Sequence, residues 1–240
     1  MLTKRKIAFT LAEVLITLGI IGIVASLTIP TLMQKHNNKV VETRLKKFYS
    51  TINQAVRLSE ADNGDKIYWY QDINNIDYDN EGNPINGSSI VEKWWKKYMA
   101  PYIKTVDIKY DSVGRPIFIF VDGSSLKAEQ INNMRDWRYY VGNPDKCISK
   151  DQYGGIGKCS FYFIFMPGGY GAIDSSEETW GYHINKGFEP YKFDWHGNRD
   201  ELFNGTYGCR ENNMYAYYCT ALIQLNDWKI PDDYPFKVNY

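Results

Sequence analysis

The sequence predicts an α+β fold in which a long N-terminal α-helix, part membrane segment and part amphipathic spine, packs on an antiparallel β-sheet head. Three observations carry this. From Val14 to Gln34 no side chain is charged, and about 21 helical residues at 1.5 Å each reach about 30 Å, the thickness of a bilayer's hydrocarbon core. From Val41 onward apolar residues recur at steps of three and four, one face of a continuing helix. Beyond Lys104 the period falls to two, with turn residues between the runs, as in an antiparallel meander.

Ahead of the apolar run lies one basic cluster, Lys4-Arg5-Lys6. The positive-inside rule places it in the cytoplasm, so the chain crosses once and its remainder lies on the far side. Glu13 stands just inside the run, where a carboxylate is costly and marks a function. The helix is expected from about Phe9 to about Ala61: 9–34 for the membrane, 35–61 as the spine. Val41, Leu45, Phe48, Ile52 and Ala55/Val56 form its apolar face, against Lys39, Arg44, Lys46, Lys47 and Arg57. Pro30 kinks it or frees a carbonyl, and with Gly22 marks a place for local melting. Asp62-Asn63-Gly64-Asp65 ends it, with Gly64 as the cap.

Residues 62–240 form the head. Asn, Asp and Gly make 66–87 a loop. Ser89-Ile90-Val91-Glu92 is a capping box opening a second helix, which Pro101 stops. Its Trp94-Trp95 pair reads as core rather than as a sugar-stacking platform. Strands follow at Lys104–Tyr110, Pro116–Val121 and Ser125–Glu129, with turns at Asp111–Gly114 and Asp122-Gly123, and a more buried strand at Ser160–Met166. Such a sheet on an amphipathic helix buries one face and leaves the other wet. Residues 130–158 and 170–192 read as loops, Met214–Asn226 as a helix, and Trp228–Pro235 as a rigid exposed tail, for docking or for covering a sheet edge.

The N-terminus resembles that of type IV prepilins and type II secretion pseudopilins. The matching residues are the basic leader, Ala8 where the family usually has Gly, Phe9-Thr10-Leu11-Ala12-Glu13, the long apolar helix, Gly22 and Pro30. The resemblance covers about the first 50 residues. It implies a leader at 1–8, cut by a prepilin peptidase between Ala8 and Phe9, and methylation of the Phe9 amine. It implies a pilin-like head. It also implies that the subunit leaves the inner (cytoplasmic) membrane, through an assembly platform, to stack with copies of itself or other pilins or pseudopilins in a pilus or pseudopilus. Removing Lys4, Arg5 and Lys6 deletes charges each worth ~1 kcal/mol at the membrane surface. Glu13 is then expected to pair with the Phe9 amine of a neighbour, since a lone buried charge is strongly unfavourable. A cleavable secretory signal, with Ala25-Ser26 as a weak cut site, normally has a shorter apolar core without Glu. A plain signal anchor leaves Glu13 unexplained.

The 240 residues give room for one helix and one head. Aromatic content is 16%, with 20 Tyr and 7 Trp, enough to build a core. Residues 1–60 hold nine Lys/Arg and three Asp/Glu, leaving 19 against 25 in the rest, so the head is mildly acidic. That argues against broad nucleic-acid binding, which needs a basic surface. Four cysteines on the exported side read as two disulfides, and of three connectivities Cys147–Cys159 with Cys209–Cys219 closes the shortest loops. The spacings are not those of a zinc site.

Phe193–Phe203 is similar to an Asp-rich loop late in many pseudopilin heads, and Asp194, Asn198 and Asp200 are weak calcium candidates; otherwise no cofactor or metal is expected. No G-x-S-x-G, P-loop or H-E-x-x-H is present, and His36, His183 and His196 are scattered, so no catalysis is expected. Asp174, Glu177 and Glu178 read as an acidic surface patch. Two function classes stay open: a structural filament subunit, and a membrane-anchored exported binding module that does not polymerise.

Overall fold

The computed structural model describes residues 10–69, 76–130, 134–147, 155–169 and 180–240. Helix α1 spans Leu11–Asn63 as one unbroken element. It ends where Gly64 takes φ 77° and donates its N–H to the Glu60 carbonyl at 3.0 Å. A left-handed residue there relieves the carbonyls of the last turn at no steric cost to glycine. The buried face is Val41, Leu45, Phe48, Ile52, Ala55, Val56 and Ser59, the apolar stripe read from the sequence plus one serine.

Helix α2, Ile90–Tyr98, starts at Ser89, whose side chain accepts from the Glu92 N–H. Both its tryptophans are core: Trp95 stacks on Phe118 at 4.2 Å between ring centres, and the Trp94 indole N–H donates to the Trp69 carbonyl.

Six antiparallel strands form one sheet in sequence order: β1 Thr105–Tyr110, β2 Pro116–Phe120, β3 Ser125–Ala128, β4 Asp136–Tyr140, β5 Ser160–Phe165 and β6 Phe188–Pro190. Register assigns the two faces. Phe118, Leu126, Tyr139 and Phe161 are cross-strand partners and meet the spine, where Phe48 stacks on Tyr139 at 4.1 Å. Lys127, Arg138 and Tyr162 are partners on the opposite, distal face.

Four expectations are corrected. First, 130–158 is not all loop. β4 lies inside the sheet, and α3 (Pro144–Cys147) follows it. Asp-Trp-Arg-Tyr alternates as a strand should, but it is short and flanked by Asn132-Asn133 and Gly142-Asn143-Pro144, which read as loop. Second, 170–192 includes a 3-10 turn at Gly181–His183 and β6, although 170–179 fall outside the described residues.

Third, the distal face is not simply wet. A second apolar cluster, including Ile164, Met166, Leu202, Ala221 and Leu222, covers its β5 side. Fourth, the C-terminal helix α4 is only Cys219–Leu225, and the segment after it is not an exposed tail. Trp228 packs on Tyr49 with ring centres 4.8 Å apart, the Ile230 N–H donates to Glu42 at 3.0 Å, and Tyr234 donates to the Gly157 carbonyl at 2.6 Å. This segment straps the head to the spine.

Between spine and distal cluster lies a buried polar group. The Lys192 ammonium donates to Tyr182 and Gln224, both at 2.7 Å, and Tyr49 donates to Glu189 at 2.7 Å. His183 accepts the Lys192 backbone N–H and is fully buried. Burial, and then the Lys192 and Lys186 cations, push its imidazole down to about 3.

The unfolded chain protonates His183 near its ordinary value of 6.5 while the folded one does not. Its contribution is therefore complete above that value and is lost as pH falls towards 3. Lowering pH from 7 to 5 is expected to cost about 2 kcal/mol of stability through this group. Urea midpoints at the two pH values check it, since His183→Gln should flatten the difference.

Candidate functional site

Thr10 caps α1 reciprocally with Glu13. The Thr10 hydroxyl accepts the Glu13 N–H at 3.2 Å, while Glu13 Oε2 accepts both the Thr10 N–H and its hydroxyl at 2.8 Å. An anion in the first turn also faces the positive end of the helix dipole. Thr-x-x-Glu is a capping-box pattern in its own right. It was legible in the sequence, and the membrane reading of Glu13 passed over it.

From Leu11 to Met33 every residue but Ala25 is exposed, with Leu11, Leu27 and Leu32 each about 70% or more uncovered. This part of α1 is long and apolar enough to cross a membrane, and its most apolar stretch is not buried at all. Its polar side chains turn inward on the backbone. Thr17 donates to Val14 O at 2.9 Å, Ser26 to Ile23 O at 2.8 Å and Thr28 to Val24 O at 2.9 Å. A helix in hydrocarbon requires such internal satisfaction, because no water is there to accept these protons.

The head takes hold of α1 at Gln34, whose amide donates to Asn38 at 2.7 Å and to the Val238 carbonyl at 3.2 Å. Two residues on, exposed His36 meets the Tyr240 hydroxyl at 3.1 Å, which places it at the base of the head. Arg44 donates to the Val141 carbonyl and lies over the Tyr240 ring. The first fully buried spine residue is Val41. One helix therefore has two surroundings, bare and apolar before Gln34, clasped by the head after it.

The remaining candidates fall as follows. Ala8, Phe9 and the acidic patch at Asp174, Glu177 and Glu178 lie outside the described residues. Gly22 sits on the bare surface, with no atom within 4 Å of where a Cβ would be. Pro30 lies inside α1. The disulfides are Cys147–Cys159 and Cys209–Cys219, the short-loop pairing.

The Asn198 oxygen caps a 3-10 turn by accepting the Asp200 N–H at 3.0 Å, and Asp194 lies 3.8 Å from His196. The described residues hold no group of three or more His, Cys, Asp or Glu placed for a metal.

Residues 31–238 match a protein family described as a family of unknown function (DUF6613). The match covers the spine and the head and begins after most of the apolar run. No curated protein and no solved structure matches the chain.

Proposed function

We propose that this chain, which belongs to the DUF6613 family, is a structural subunit of a type IV pilus or of a type II secretion pseudopilus. In this reading prepilin peptidase removes residues 1–8, Phe9 becomes the methylated N-terminus, and the subunit assembles through α1 with its head on the exported side. The carrying observation is the divided helix: an uncovered apolar half with an acid in its first turn, continuous with a half clasped by the head. The bare half fits a bilayer before assembly and neighbouring helices after it.

Glu13 is then the docking group. Moving it from its own Thr10 N–H to a neighbour's Phe9 amine exchanges a neutral donor for a charged one, which roughly doubles the strength of the bond. Intact mass and N-terminal sequencing of the membrane-extracted protein test the reading. A mature chain beginning at Phe9 is expected. Glu13→Leu is expected to be cut normally but to lose assembly about a hundredfold or more, a loss of ~3 kcal/mol per contact. A full-length N-terminus, or unimpaired assembly of Glu13→Leu, refutes it.

One observation favours a second reading. Because Glu13 is already satisfied inside its own chain, a non-polymerising membrane-anchored binding module could carry it as a helix cap alone. That protein would keep Lys4, Arg5 and Lys6, so the same mass measurement separates the two.

A further inference from the structure

We propose that the distal face of the sheet holds a binding site for an acidic saccharide, a sugar of the uronic-acid type carrying a ring carboxylate. A cavity of about 550 Å³ opens there, within the roughly 300–1,000 Å³ range of ligand sites. Its floor is the cross-strand row Lys127, Arg138 and Tyr162, with Tyr140 beside it. One wall is aromatic. Tyr217 stacks on Tyr162 at 4.0 Å and on Tyr207 at 5.5 Å, and Tyr191 meets it edge-on at 5.0 Å.

Charge selects the ligand. Arg115 and Lys127 both reach the same carboxylate, Asp111, at 2.6 and 2.9 Å. Lys127 is nearly buried, so this cluster of two cations and one anion carries a positive charge that little water shares. One further carboxylate completes it, and charge-assisted bonds of that kind are the strong ones.

Glu129 spends only Oε2, on Arg138 at 3.0 Å and on the Tyr162 hydroxyl at 2.9 Å; its Oε1 is buried with no hydrogen-bond partner among the described residues. Tyr140 beside it is 1% exposed, with the Arg138 guanidinium against its ring and hydroxyl. An orphaned carboxylate oxygen on a residue that lines a cavity calls for a ligand that brings a hydroxyl donor, because buried groups of this kind are rarely left unpaired.

A uronate meets each feature. The C–H face of the pyranose packs against the tyrosine wall, a ring hydroxyl donates to Glu129 Oε1, and the carboxylate takes Lys127 and Arg115. A purely apolar ligand would strand the charged floor away from water. A polyanionic backbone would meet Asp111, Glu129 and Asp136 along the same lining.

The test titrates the full-length protein, in detergent or nanodiscs, with the singly charged methyl glycosides of galacturonate and guluronate, and with neutral methyl galactoside and acetate as comparisons. At least one uronate is expected to bind about tenfold or more tighter than the neutral sugar, the worth of one charge-assisted hydrogen bond. Lys127→Gln should abolish that preference and Lys127→Arg retain it. Saturation transfer from tyrosine ring protons to the sugar needs no variant and should mark its C–H face. Binding of neither uronate, equal binding of the neutral sugar, acetate binding as tightly as the uronates, or a preference that survives Lys127→Gln each overturns the proposal.

Discussion

Trp137→Ala is expected to remove about 3–5 kcal/mol from the stability of the head, most of what a domain of this size holds in reserve. Trp137 is fully buried on β4, and its indole N–H donates to the Met134 carbonyl at 2.6 Å. Its ring stands 5.5 Å from Phe188, 5.8 Å from Trp94, 6.0 Å from Trp95 and 6.4 Å from Phe118. It joins β2, α2 and β6 beneath the spine. Truncation removes the ring, opens a cavity the stiff neighbouring aromatics cannot close, and leaves a buried carbonyl without its donor. Urea unfolding of the full protein followed by tryptophan fluorescence measures the change. Val121→Ala, at a residue 70% exposed, is the control and should shift stability by less than about 0.5 kcal/mol.

Reducing both disulfides is expected to cost about 5 kcal/mol in total. Cys147–Cys159 and Cys209–Cys219 close loops with separations of 12 and 10 residues, and the chain-entropy relation assigns each roughly 2.5–3 kcal/mol. The two hold different parts. The first ties α3 to the strand end where Val141 donates to the Cys159 carbonyl. The second ties the tyrosine-bearing segment around Tyr207 to α4. Unfolding with and without dithiothreitol measures the sum, and Cys147→Ala/Cys159→Ala and Cys209→Ala/Cys219→Ala should each take about half. A head equally stable when reduced would show that these bridges do little to restrict its unfolded chain.

Local chemistry was the legible part of this sequence. The spine stripe, the Ser89–Glu92 box, the Gly64 stop, the hairpin turns and the short cysteine loops are each encoded within a few residues, and each stands where the reading placed it. β4 was missed because its short Asp-Trp-Arg-Tyr alternation sits between Asn132-Asn133 and Gly142-Asn143-Pro144, residues that read as loop. The strap after α4 was missed because polar Asp232 and Asp233 and two prolines look like surface, whereas Trp228 and Pro231 do the packing. The distal cavity was beyond reach. Asp111, Lys127, Arg138 and Tyr217 are distant in sequence and become neighbours only through strand register, which no short pattern specifies. The Thr10–Glu13 cap was within reach, and its motif was overlooked beside the cost of an acid in lipid.

Each of the six strands pairs only with strands next to it in the chain. The first three connections, 111–115, 121–124 and 129–135, are short, with a low entropy cost, so the meander can add its first hairpins one at a time as the polypeptide emerges. Phe48 and Ile52 on the spine are synthesised well before Tyr139 and Phe163 arrive to cover them. The interval between making the axis and finishing the meander is therefore when newly made protein is most open to aggregation, and a holding factor in that interval would have α1 as its natural target.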